Sequence, residues 1–320
     1  MTSEGFAKPW AEFEEEFGER LLIQGDLTSC QDGFARIGAK MVSKYQFPPP
    51  DPAIQTEEKT VDGLRFRIYT PKNYAGGKPV GVYFHGGGWA MGDLDGDDAF
   101  CRQISKGGNV VLVSVEYGLA PQNKHPGLIN DCWKGLNWTL SNAKDLGGIE
   151  GKIFTAGTSA GGQLALSLAL KALDEGLEDS LVGVVAQVPA TIHPAAVPEN
   201  LKSKYTSTNE HAEHTVNSKS AMQTFWDAFG IPPNDPYASP LLHPRINDLK
   251  KVYMTVAGHD TLRDDGLLFK QKLDDADVSS KLDFYPGYPH YHWAWPSPKL
   301  KETEQEYISN LAKGVQFVVS

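Results

Sequence analysis

Near the start of the chain, apolar residues recur every three to four positions. Phe13, Phe17 and Leu21 form one such stripe and Phe34, Ile37 and Met41 a second, which predicts helices with a single apolar face. Pro48-Pro49-Pro50-Asp51-Pro52 ends that regime, because locked φ angles and missing N–H donors exclude both a helix and a central strand. Beyond it the period changes. Short, nearly continuous apolar runs predict strands at 65–69, 80–84, 110–115, 152–156, 183–188, 252–257 and 282–285. Helical patterns alternate with them at 131–141, 161–175, 266–276 and 302–317. Buried strands alternating with helices predict an α/β domain whose mostly parallel sheet is covered on both faces. Residues 190–230 break the rhythm. They are polar, rich in His, Asn, Ser and Lys, and end on Met222, Phe225, Trp226 and Phe229. An insertion of that length in an α/β fold is expected to form a lid or cap.

Composition narrows the class of protein. A length of 320 residues suits one large domain, and 40% hydrophobic with 22% charged residues excludes a disordered or fibrous chain. Forty acidic against thirty basic residues leave a net charge of −10 with no basic run, which argues against nucleic acid or an anionic membrane as partner. Cys30, Cys101 and Cys132 are odd in number and far apart. Neither a disulfide framework nor a thiolate zinc site is expected, and a reducing compartment fits better. Residues 1–25 carry Glu14, Glu15, Glu16 and Glu19 and lack a basic-then-apolar start, and no stretch is apolar enough to span a membrane. The expectation is a soluble, cytoplasmic protein.

The strongest chemical signal is Gly157-Thr158-Ser159-Ala160-Gly161-Gly162, between a predicted strand and a predicted helix. Gly-x-Ser-x-Gly in that setting is a nucleophile elbow, a turn too tight for side chains two residues either side of the serine. A glycine-rich turn holding a serine by chance is the bland alternative, and the flanking strand and helix weigh against it. Upstream, His85-Gly86-Gly87-Gly88-Trp89 follows the strand at 80–84. Bare backbone N–H groups there can converge on a developing oxyanion, with the Ala160 N–H as a further donor. The segment has no Lys-Ser/Thr after it, so it is not a phosphate loop.

A serine hydroxyl needs a histidine base and a carboxylate to orient it. Asp260 follows the strand at 252–257, and His290 lies in a loop after the strand at 282–285, in the chain order Ser, Asp, His. Asp264 and His292 compete for the two roles, with Asp264 read first as a helix-start charge. His259 reads as a rim or packing residue. His211-Ala212-Glu213-His214 lacks metal-site spacing and reads as a solvated loop. No metal or cofactor is called for. Trp89 and Trp293 flank the site motifs and are candidate walls of the acyl pocket.

These motifs resemble the hormone-sensitive-lipase family of α/β-hydrolases. His85 to Trp89 with Gly92-Asp93-Leu94 is similar to its oxyanion segment, Glu116-Tyr117-Gly118-Leu119-Ala120-Pro121 to its Tyr-Arg-Leu-Ala-Pro-Glu signature, and Asp260-Thr261-Leu262-Arg263-Asp264 to its Asp-Pro-Leu-Arg-Asp. The resemblance covers residues 60–320. It implies an eight-stranded sheet, a triad of Ser159, Asp260 and His290, and an oxyanion hole of the Gly87, Gly88 and Ala160 N–H groups. It also implies a helical cap segment over residues 1–50 and a core over 51–320, with a cap insertion at about 190–230. Hydrolysis of a short-chain, acetyl-like ester of a small molecule is the implied activity, in a monomer or homodimer. The subgroup it resembles comprises fungal esterases that remove acetyl groups from polyketide intermediates. An acyltransferase or a cyclase on the same scaffold is the first alternative, and a non-catalytic ligand receptor the remote one. Three positions depart from the family pattern: Thr158 replaces an Asp, Gly118 an Arg and Gln122 a Glu. Loss of both signs together suggests that the three form one coupled network in relatives, since stranding one buried charge is costly.

Overall fold

The computed structural model describes residues 5–320, so the first four residues of the expected cap segment lie outside it. Two amphipathic helices open the chain, α1 (Lys8–Phe17) and α2 (Leu27–Lys44). The proline stretch follows them as extended chain. Then come β1 (Ile54–Val61), β2 (Leu64–Pro71), β3 (Val80–Phe84), α3 (Asp98–Gly108), β4 (Leu112–Glu116), α4 (Gly127–Asn142), β5 (Ile153–Thr158), α5 (Ala160–Asp174) and β6 (Leu181–Gln187). After β6 the chain makes 3-10 turns and two further helices, α6 (Ser207–Glu210) and α7 (Lys219–Phe229). It closes with β7 (Lys251–Ala257), α8 (Arg263–Asp275), β8 (Ser279–Tyr285) and α9 (Lys301–Val319).

Eight strands form one sheet in the order β1-β2-β4-β3-β5-β6-β7-β8. β2 pairs antiparallel with β1 and β4, and every other pair is parallel. Alternation along the strands separates two cores. Val80, Val82 and Phe84 of β3 face one way, with α4, α5 and α8, while Tyr83 faces the other, with Phe100, Cys101 and Ile104 of α3 and Tyr307, Leu311 and Val315 of α9. β1 is the strand without a sequence signal. Only its first residue is buried, so the segment IQTEEKTV shows no apolar face, and the two-residue turn at Asp62-Gly63 is what pairs it with β2.

The α2 end of the N-terminal segment packs on residues 190–230 at the C-terminal end of the sheet, while α1 packs on the turn at Pro298–Leu300. α2 lies against α7. The Ser218 hydroxyl donates to the Ile23 carbonyl at 2.6 Å, and the Thr224 hydroxyl to the Gly25 carbonyl at 2.7 Å. No helix among the described residues is long and apolar enough to cross a membrane.

Candidate active site

Ser159 sits between β5 and α5 with φ 58° and ψ −119°, a conformation side chains seldom adopt. The flanking glycines permit it. A Cβ on Gly157 would lie 2.1 Å from the Gly161 carbonyl oxygen, and one on Gly161 would lie 1.9 Å from that of Phe84. The turn lifts the hydroxyl off the sheet at the N-terminus of α5, whose dipole favours negative charge there.

Ser159, Asp260 and His290 come from three different loops at one end of the sheet. His290 Nε2 lies 2.9 Å from Ser159 Oγ, and His290 Nδ1 lies 2.6 Å from Asp260 Oδ2. All three residues are buried. Asp260 Oδ1 accepts from the Leu262 N–H at 2.9 Å and from the Asn217 side-chain amide at 2.6 Å. Burial alone would raise the Asp260 pKa. The neighbouring His290 and these hydrogen bonds outweigh it and hold the carboxyl below its ordinary value.

The glycine loop after β3 takes left-handed φ angles at Gly87 (111°) and Gly88 (60°). A Cβ on Gly87 would lie 2.3 Å from the Met91 carbonyl, and one on Gly88 would run into the Phe225 ring. Among the described residues, the N–H groups of Gly87, Gly88 and Ala160 donate to no protein acceptor. Unpaired N–H groups at a buried turn are costly unless something else accepts from them. The Gly86 N–H does have an acceptor, the Asp97 carboxylate at 3.0 Å. His85 is a packing residue, its ring parallel to that of Tyr117 at 4.2 Å, and burial lowers its pKa.

A cavity of about 850 Å³ opens on Ser159. The cap supplies Ile23, Phe34, Val216, Met222 and Phe225 to its walls, and the far side includes Phe100, Tyr291 and Trp295. Trp89 and Trp293 border it too, but each indole is packed rather than presented. Trp89 is buried against Trp226 and Phe229 and donates from Nε1 to Gln163 at 3.0 Å. Trp293 stacks on Tyr307 with centroids 4.0 Å apart.

The competing candidates lie elsewhere. Asp264 accepts from the N–H groups of Thr206 and Ser207 at 2.6 and 2.7 Å, tying the cap to α8. His292 is buried among Tyr285, Tyr288 and Tyr307, and burial pushes its pKa down to about 3. The expectation of a solvated loop at 211–214 is corrected. His211 is buried, 2.9 Å from His214 and 3.0 Å from an Arg263 nitrogen, with His259 packed on both rings. Burial and the neighbouring positive groups pull both His211 and His214 down to about 4. Asn217, in the same polar stretch, carried no signal. A polar residue in a polar segment gives no warning that it will be buried against a carboxylate.

In this chain the three departures sit in two separate places. Thr158 is buried and bonded to Tyr83 and Gln187, whereas Gly118 lies beside Asp131 and Asn123, and Gln122 is exposed. These two groups share no hydrogen-bond partner. Asn123 occupies the space a Cβ at position 118 would take.

An eight-stranded, mostly parallel sheet with a serine raised at the end of a central strand defines an α/β-hydrolase. Residues 81–294 match the model of a family described as alpha/beta hydrolase fold, and the chain belongs to that family, in its hormone-sensitive-lipase-like branch. A versiconal hemiacetal acetate esterase from Aspergillus parasiticus is 45% identical over 314 residues, covering 98% of each chain. A thermostable esterase from Pseudomonas putida ECU1011 superposes with a TM-score of 0.81 at 25% identity over 99% of both chains. Vibralactone Cyclase superposes with a TM-score of 0.81 at 27% identity, over 97% of this chain and 96% of its own. The esterase relatives support a carboxylic ester hydrolase.

Proposed function

We propose that the chain hydrolyses a short-chain, acetyl-like ester of a small molecule through an acyl-enzyme on Ser159. The observation that carries the reading is the buried His290 imidazole, 2.9 Å from Ser159 Oγ on one side and 2.6 Å from Asp260 on the other. With Asp260 ionised, Nδ1 keeps its proton and Nε2 is left as the base. His290 takes the hydroxyl proton as Ser159 attacks the ester carbonyl. It returns that proton to the leaving alcohol, and then activates the water that releases the acid. The Gly87, Gly88 and Ala160 N–H groups hold the oxyanion, each donor worth about 2.7–4 kcal/mol in the transition state. Trp89 and Trp293 shape the walls of the site through their packing. The likeness to a versiconal hemiacetal acetate esterase supports acetate as the acyl group. A cavity of about 850 Å³ leaves room for a bulky alcohol beside it.

The likeness to Vibralactone Cyclase favours one second reading, in which a hydroxyl of the substrate itself captures the acyl-enzyme. Turnover of p-nitrophenyl acetate, abolished in Ser159→Ala, tests the nucleophile. With the native substrate, incorporation of ¹⁸O from labelled water into the released acid identifies hydrolysis, and a ring product without label identifies cyclisation.

A further inference from the structure

Tyr291 follows His290 directly and holds φ 59°, in the left-handed region that residues with a bulky side chain avoid. Its surroundings keep it there. The Ala294 N–H bonds to the Tyr291 carbonyl at 2.9 Å. The ring lies parallel to Phe100 at 6.1 Å, tilted to Trp293 at 5.7 Å, and edge-on to the His290 imidazole at 4.7 Å. That strained backbone carries the phenol hydroxyl to the glycine loop, where Tyr291, Gly86 and Ser159 line the same cavity. The hydroxyl stands over Gly86 so closely that a Cβ there would be 1.8 Å from it, so glycine at position 86 makes room for the phenol. Burial pushes its pKa well above the ordinary tyrosine value, so it keeps its proton and acts as a donor.

We propose that Tyr291 is a further catalytic residue, donating its O–H to the alkoxy oxygen of the ester as the alcohol leaves. The inference rests on Ser159 being the nucleophile. The carbonyl oxygen already has the three N–H groups of the loop and elbow, whereas the alkoxy oxygen has a single donor, His290 Nε2. When the tetrahedral intermediate collapses, the bond from the carbonyl carbon to the alkoxy oxygen breaks and its electron pair stays on that oxygen. The proton on His290 Nε2 transfers to it. Tyr291 keeps its own proton and stabilises the charge that builds before the transfer is complete. Such a contact matters in proportion to that charge, and therefore most for alcohols that leave poorly.

The test compares Tyr291→Phe with wild type on p-nitrophenyl, phenyl and benzyl acetates, through kcat/KM, which reports the acylation step. The same acyl group with leaving groups of rising basicity isolates the alkoxy oxygen. The expected result is a loss of about tenfold on benzyl acetate, an intermediate loss on phenyl acetate and less than twofold on p-nitrophenyl acetate. An equal loss on all three esters overturns the assignment in favour of the carbonyl oxygen or a structural role, and no loss on any overturns it outright. Phe fits the same backbone and ring contacts. Circular dichroism and the urea midpoint show that the variant is folded. If wild type and Ser159→Ala turn over these esters equally, the hydrolase reading itself has failed, an outcome distinct from any involving Tyr291.

Discussion

The Thr158 hydroxyl lies 2.9 Å from the Tyr83 hydroxyl, beneath the nucleophile. The direction of every bond around it can be assigned. Tyr83 donates to the Asp97 carboxylate at 2.7 Å, so Thr158 donates to Tyr83. Thr158 in turn accepts from the Gln187 side-chain amide at 3.0 Å, and Gln187 accepts from the Tyr307 hydroxyl at 2.7 Å. Asp97 completes the chain by accepting from the Gly86 N–H. A row of hydrogen-bonded groups ending on the Asp97 carboxylate thus joins the residue before Ser159 to the loop after β3.

A Thr158→Asp substitution restores the family residue and puts a second carboxylate on a phenol that already serves Asp97. The two charges would share one proton donor in a buried site, and stranded buried charge costs about 3–5 kcal/mol. Thr158→Val strands the Gln187 amide and a Tyr83 lone pair without adding charge, at about 1–3 kcal/mol. Urea denaturation of both variants should rank wild type above Val above Asp. A Thr158→Asp protein as stable as the parent would show that the row tolerates charge.

Asn217 gives the cap a direct hold on Asp260. Its amide donates both to Asp260 Oδ1 at 2.6 Å and to Thr261 Oγ1 at 2.9 Å. Asn217→Ala removes one of the donors that keep the carboxyl ionised, so the Asp260 pKa moves up towards its ordinary value. A carboxyl with a depressed folded pKa stabilises the fold above its unfolded pKa and loses that contribution as pH falls through the folded value. In the variant that contribution is smaller, and its loss is complete at a higher pH. The expected outcome is about a tenfold drop in kcat/KM, with the acid limb of the activity profile shifted towards neutral and less stability lost to acid through Asp260. An unshifted acid limb would mean that the Asn217 contact does not bear on Asp260.

The elbow and the glycine loop were legible in the sequence because each is local. A glycine where a Cβ would strike a carbonyl is visible in the string, as at Gly157 and Gly161. The alternating strands declared the sheet for the same reason, and β1 escaped because its polar residues sit at an exposed edge. Contacts made at long range were not legible. Tyr83, Asp97, Gln187 and Tyr307 are unremarkable one by one, and only the sheet order places them in a row with Thr158. The cap misled in one respect. Its polar composition suggested a solvated surface, yet Ser207, Thr215, Asn217 and Ser218 are buried with their hydrogen bonds satisfied inside the protein. Tyr291 was invisible because its importance lies in a backbone angle.

Asp265 offers a stability test away from the chemistry. Its Oδ1 accepts from the Thr191 and Ile192 N–H groups at 2.8 and 3.1 Å, fastening the start of the cap insertion to α8. Burial raises its pKa from 3.8 to about 7, against the pull of the two N–H groups and the Tyr205 hydroxyl. The unfolded chain ionises near 3.8, so between that pH and about 7 the unfolded state has lost a proton that the native state retains. Stability from this residue therefore falls as pH rises across that window and levels off above it. Asp265→Asn keeps an acceptor for both N–H groups and carries no charge. It should match the parent near pH 4 and exceed it at pH 8, by up to a few kcal/mol, when unfolding is followed in urea across the range. A variant less stable than the parent at pH 8 would show that the ionised carboxylate, and not its neutral form, holds the cap to α8.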